Sequence, residues 1–82
     1  MFITIKAVSV EWKSSSLPKK RVEKTIAINP RYITSIEERS AQELIAEGCT
    51  IEFEGAAGYR TRTVSCELTV AAVVNLCAAV GG

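Results

Sequence analysis

Apolar residues follow two regimes along this chain. From Phe2 to Val64 they come in short alternating runs, and from Leu68 to Val80 they are nearly continuous. Alternation is the period of a half-buried strand, so the first regime predicts β-structure. Phe2 to Trp12 reads as a long strand whose apolar side changes midway: Ile3, Ile5 and Ala7 share one face, Val8, Val10 and Trp12 the other. A slip of that kind predicts a β-bulge or bend near Lys6-Ala7-Val8. Val22 to Ile28 is a second strand, with Val22, Ile26 and Ile28 inward and Lys24 the exception, and Asn29-Pro30 ends it. Tyr32 to Glu38 is a third, although Ile33 and Ile36 sit three apart, a spacing that also suits a helical turn. Ser40-Ala41-Gln42-Glu43 has capping-box spacing and Gly48 fits a helix stop, so a short helix at 41–47 burying Leu44 and Ile45 competes with a loop there.

Thr50 to Glu54 and Tyr59 to Val64 read as a hairpin around Gly55-Ala56-Ala57-Gly58. Ile51 and Phe53 belong in the core, which turns Glu52 and Glu54 outward. Placing Arg60 and Arg62 on that outer face for charge pairing requires paired residue numbers with an even sum. A four-residue loop without a bulge is rejected on this argument, because it would turn both arginines inward. Ser65 is then placed to cap the last helix, with Glu67 in its first turn.

That helix is the organising element. Wound at 100° per residue, Leu68, Ala72 and Leu76 fall on one face, Val73, Cys77 and Val80 on a second, and Val70 and Val74 on a third. A small sheet covers one face, so the surplus predicts a second copy of the chain, with Val70, Val73, Val74 and Cys77 in the seam. The rival reading buries the whole helix within one copy, and the alanines at 71, 72, 78 and 79 tolerate exposure. The expected fold is α+β: a single domain over 1–82, an antiparallel sheet of about five strands and a C-terminal helix packed across it.

The stretch Ile28-Asn29-Pro30, Ile33 and Ile36-Glu37, followed by a hairpin, a tyrosine-led strand and a helix, resembles small flagellar and swarming proteins of the FlbD kind. It also resembles many short bacterial and phage reading frames. The resemblance rests on strand punctuation and carries no function to this chain.

Composition narrows the chemistry. The net charge is +1, from ten basic and nine acidic residues, so no global field steers the chain to a polyanion. All the acids are Glu, and His and Asp are absent. A Ser–His or Cys–His pair is therefore excluded, and Cys49, Cys66 and Cys77 alone do not complete a four-ligand zinc site. Those three cysteines fit no disulfide framework and read as reduced thiols in a cytoplasmic protein. The first residues lack the basic and cleavage regions of a signal peptide. The C-terminal apolar run is shorter than the ~20 residues a membrane span needs. No phosphate or dinucleotide fingerprint occurs, and no cofactor is expected.

The sharpest polar feature is the basic loop 13–21, with Lys13, Lys19, Lys20 and Arg21, and Lys24 beyond it. It reads first as a solvated edge protector and second, with Arg60 and Arg62, as an anion contact. Trp12 and Tyr59 read as core or interface anchors before ligand platforms. The functional expectation is a small non-enzymatic interaction or regulatory module of bacterial or phage origin, binding a protein or small ligand through its surfaces as a homo-oligomer. The alternative is a nucleic-acid or nucleotide binder using the basic loop with Arg60 and Arg62.

Overall fold

The structure, a computed structural model, describes residues 1–11, 19–55 and 60–81. Among the described residues five strands, β1 (Ile3–Glu11), β2 (Lys20–Ile28), β3 (Ile33–Arg39), β4 (Gly48–Glu54) and β5 (Thr61–Cys66), precede one α-helix, α1 (Val70–Gly81). This is the expected α+β arrangement. The sheet order is β2-β1-β5-β4-β3 with every pairing antiparallel. β1 and β2 form one antiparallel pair, β3, β4 and β5 a meander, β5 returns to β1, and the open seam lies between β2 and β3.

That seam forces curvature. Five strands spaced about 4.8 Å apart would put the edges of a flat sheet about 19 Å from each other. The linker from Ile28 to Ile33 contains a 3-10 turn, Pro30–Tyr32, and reaches only about 14 Å. The sheet therefore curls toward closure. Asn29 secures the corner: its side-chain oxygen accepts from the Arg31 amide at 3.0 Å, and its carbonyl accepts from the Tyr32 amide at 2.9 Å. Inside the curl lie Ile3, Ile5, Ile28, Cys49, Ile51, Phe53 and Cys66, with Val73 of α1 inserted among them.

Several expectations change. The β1–β2 ladder runs unbroken from Ile3 opposite Ile28 to Glu11 opposite Lys20, so there is no bulge at Lys6-Ala7-Val8. The apolar side of β1 changes because the strand is covered on both faces. Ile3 and Ile5 enter the core, while Val8 is buried on the opposite face, in a hollow shared with Glu67 and Leu68. Lys20 and Arg21 belong to β2 rather than to the basic loop.

The bulge sits in β3. Ile33 opposes Phe53 and Ser35 opposes Glu52, which leaves Thr34 as the extra residue. Its hydroxyl lies 3.2 Å from the Glu52 carbonyl and 3.1 Å from Oε1 of the same residue, and so has an acceptor in either direction. One inserted residue puts Ile33 and Ile36 on the same face, which accounts for their three-residue spacing.

The hairpin register is also corrected. Glu54 pairs with Thr61, Phe53 with Arg62, Ile51 with Val64 and Cys49 with Cys66. The sums are odd, and Gly55 donates to the Arg60 carbonyl at 2.7 Å, the closure that charge pairing argues against. Two apolar residues decide the matter: this register turns Val64 and Cys66 inward, whereas the charge-paired one would expose both. Burying each contributes about 1 kcal/mol or more, against roughly 0.2–1 kcal/mol for an exposed ion pair. Arg62 accepts the inner face without burial, its guanidinium carbon 5.6 Å from the centre of the Phe53 ring.

The short helix at 41–47 does not form. Gln42 and Ile45 exchange backbone hydrogen bonds at 2.9 and 3.1 Å, with Glu43 and Leu44 between them in a tight turn. Leu44 takes a φ of 69°, the left-handed value that the third position of a type II turn demands. Ile45 is buried as anticipated, but Leu44 is exposed. Gly48 is not a helix stop but a strand residue opposite Arg39. A β-carbon there would lie 2.0 Å from the Cys66 carbonyl oxygen, so only glycine lets the two chains approach this closely. Ser65 does not cap the helix either, because β5 runs on through Cys66 to satisfy its pairing with Cys49. The cap is Thr69, whose hydroxyl accepts from the Ala72 amide at 3.1 Å.

Candidate functional site

Three surfaces hold the residues that could do work, and α1 supplies the first. No charged side chain occurs from Leu68 onward. The helix turns Val73, fully buried, with the part-buried Val70, Cys77 and Val80, onto the sheet. Of the four expected seam residues, three therefore serve the core of a single copy, and Val74, 49% exposed, faces away. Ala71, Asn75, Ala78 and Ala79 continue that open face, with the half-exposed Leu76 at its margin. An uncharged outer face is unusual on a helix that rests on a sheet, where polar residues ordinarily meet water.

The second surface is basic, and the structure divides it. Lys19 pairs with Glu43 at 3.0 Å. Arg21 forms ion pairs with Glu23 and Glu67, so its charge is largely answered. Lys20 is exposed at the start of β2, and Arg60 is exposed just before β5. Arg62 joins none of these. It lines a cleft of about 280 Å³ with Lys24, Ser9, Ile26, Val64 and Ser65. This cleft opens where β1 and β5 part, since those strands share one ladder position, Val8 opposite Ser65. Lys24, the odd residue in the apolar alternation of β2, was the available sign of it. Lys13, Trp12 and Tyr59 lie outside the described residues.

The third surface is the junction of β3, the 40–47 turn and the start of α1. Arg39 donates to the carbonyls of Ser40, Ala46 and Cys66 at 3.2, 2.9 and 2.8 Å. Glu67 accepts from the Ala46 amide at 2.8 Å while pairing with Arg21. Together these two side chains pin the turn to the end of β5. Beside them a cleft of about 440 Å³ is lined by Glu38, Arg39, Glu47, Gly48, Thr69 and Val70. Its lining carries two carboxylates and one guanidinium, and the guanidinium is already engaged with three carbonyls, so no anion site is offered there.

No family model, curated protein or solved structure matches this chain. Its function must be read from these surfaces. Among the described residues, no three or more His, Cys, Asp or Glu side chains gather as a metal site would require, and no helix is long and apolar enough to cross a membrane.

Beneath the surfaces lies a pair that sequence spacing did not disclose. Cys49 and Cys66 face each other across β4 and β5, both fully buried, with their Sγ atoms 3.3 Å apart. Burial, and next the hydrogen bond to Cys66, pushes the Cys49 thiol up to about 12. Its unfolded counterpart titrates near 9, so the stabilising contribution is complete below pH 9. It is lost as pH rises toward 12, because only the unfolded chain then releases the proton. Urea denaturation at about pH 8 and about pH 10.5 is expected to show wild type losing more stability on the alkaline side than Cys49→Ala. Equal losses in the two proteins would remove Cys49 from the account.

Proposed function

We propose that this chain is a small interaction module, without catalytic function, that pairs with a second copy through the outer face of α1. The observation that carries this reading is the uncharged helix whose open side presents Ala71, Val74, Ala78 and Ala79. Small side chains let two helix backbones approach closely, and a neutral face is complementary to its own two-fold image. Leu76 at the margin adds apolar area where the two copies would diverge.

Sedimentation of wild type against Val74→Glu tests it. Wild type is expected to sediment as a dimer at micromolar concentration, and Val74→Glu as a monomer with unchanged circular dichroism, since residue 74 is outside the core. A monomeric wild type across that range would refute the reading.

A second reading, an anion or nucleic-acid binder, is favoured by the cleft that joins Lys24 to Arg62, neither of which has an ion-pair partner among the described residues. It ranks lower because Lys19 and Arg21 already meet carboxylates. Binding to a labelled oligonucleotide that weakens steeply with salt, and is lost in Lys24→Ala/Arg62→Ala, would favour it over the first.

A further inference from the structure

We propose that Cys49 and Cys66 are an intramolecular oxidation site, closing to a cross-strand disulfide when the protein meets a hydroperoxide. The two residues are direct antiparallel partners in the β4–β5 ladder. Such partners have α-carbons about 4.5–5.5 Å apart, inside the range that a disulfide spans. Their sulfurs are already in contact at 3.3 Å, so side-chain rotation alone brings them to bonding distance of about 2.05 Å without moving the strands. Neither of the other pairings with Cys77 has this arrangement, because Cys77 sits on α1 and packs against the core from the helix side.

The chemistry balances with the peroxide as oxidant. One cysteine, as thiolate, attacks the peroxide oxygen; the O–O bond breaks, hydroxide leaves and a sulfenic acid forms. The second sulfur attacks the first, the S–O bond breaks, and water departs. Two thiols and one hydrogen peroxide give one disulfide and two waters, sulfur losing the two electrons that oxygen gains. Full burial and the reluctance of the Cys49 thiol to ionise keep the pair inert in the closed fold. Reaction then requires β5 to part from a neighbour for a moment, and its attachment to β1 at Val8 and Ser65 alone is the weak side. Once formed, the bond ties β4 to β5 next to Gly48, where the turn, β5 and the start of α1 converge.

The wild-type chain under native conditions supplies the test. Protein treated with hydrogen peroxide, alkylated and digested without reductant is analysed by mass spectrometry. The expected product has lost two hydrogens, carries a peptide linking Cys49 to Cys66, and shows alkylation at Cys77. The same treatment in strong urea should instead favour Cys66–Cys77, whose intervening loop is the shorter and closes at lower entropic cost. That contrast would assign the native bond to folded geometry. A higher thermal midpoint for the oxidised form, retained in Cys77→Ala and absent in Cys66→Ala, is the second expected result. Native bridges through Cys77, or sulfinic acids at 49 or 66 with no bridge, would overturn the proposal.

Discussion

Gly48→Ala is expected to remove about 3 kcal/mol or more of stability. The added carbon would meet three backbone atoms: the Cys66 carbonyl oxygen at 2.0 Å, the Glu67 α-carbon at 2.7 Å and the Cys66 carbonyl carbon at 2.9 Å. None can rotate aside, so β4 must retreat from β5 at the position where Arg39 and Glu67 also bind. A domain of this size has roughly 4–12 kcal/mol in all. The variant should unfold at much lower urea concentration, or fail to fold at physiological temperature. Gly55→Ala provides the contrast, since its added carbon would lie 3.3 Å from the Arg60 carbonyl oxygen, a contact relieved by a small shift. Similar urea midpoints for the two variants would show that the Gly48 approach is not tight.

Val73→Asp ranks second, with an expected loss of about 3–5 kcal/mol. Val73 is the one fully buried residue of α1, set among Ile5, Ile28, Ile51 and the two cysteines. The side chains it packs among are aliphatic, aromatic or thiol. A carboxylate there is either an unpaired buried charge or must take up a proton, and both are costly. Val74→Glu, one residue along, leaves the core of the single copy intact and, at dilutions where both proteins are monomeric, should leave the stability within about 0.5 kcal/mol of wild type. Chemical denaturation of the pair measures the asymmetry. Equal losses would mean that α1 does not hold the orientation described.

The fold class and the succession of strands along the chain were legible, though not their order in the sheet, because alternation is a strong signal wherever one face is buried. Ile3-Thr4-Ile5 and Ile51-Glu52-Phe53 could not be read otherwise. Three features were not legible, each for a physical reason. Thr34 is an inserted residue, and a bulge mimics helical spacing when only Ile33 and Ile36 are visible. Four exposed charges point to one hairpin register, but burial of Val64 and Cys66 outweighs them and selects the other. Ser40 to Glu47 has a good helix start, but so few residues nucleate poorly in isolation, and the close approach at Gly48 claims the segment for a turn. For α1 the pattern revealed the helix without its orientation, because a sequence apolar on all sides leaves the inner face to be selected by packing. The candidate sites fared likewise: Arg62 and Lys24 stand out in the sequence by their charge, while their meeting in one cleft follows only from strand pairing.

The single ladder position joining β1 to β5 also governs how the molecule breathes. The β1–β2 pair and the β3–β5 meander are each internally well laced, yet the backbone ladder between them is the one position Val8 opposite Ser65, the rest of the junction being side-chain packing in the shared core and the Lys19–Glu43 and Arg21–Glu67 ion pairs. Amide deuteration should accordingly proceed in two cooperative blocks, with Ile5 and Ile26 rising together and Ile51 and Val64 together. Whatever grips both halves at once, whether a partner helix or an anion between Lys24 and Arg62, would slow the two blocks in concert.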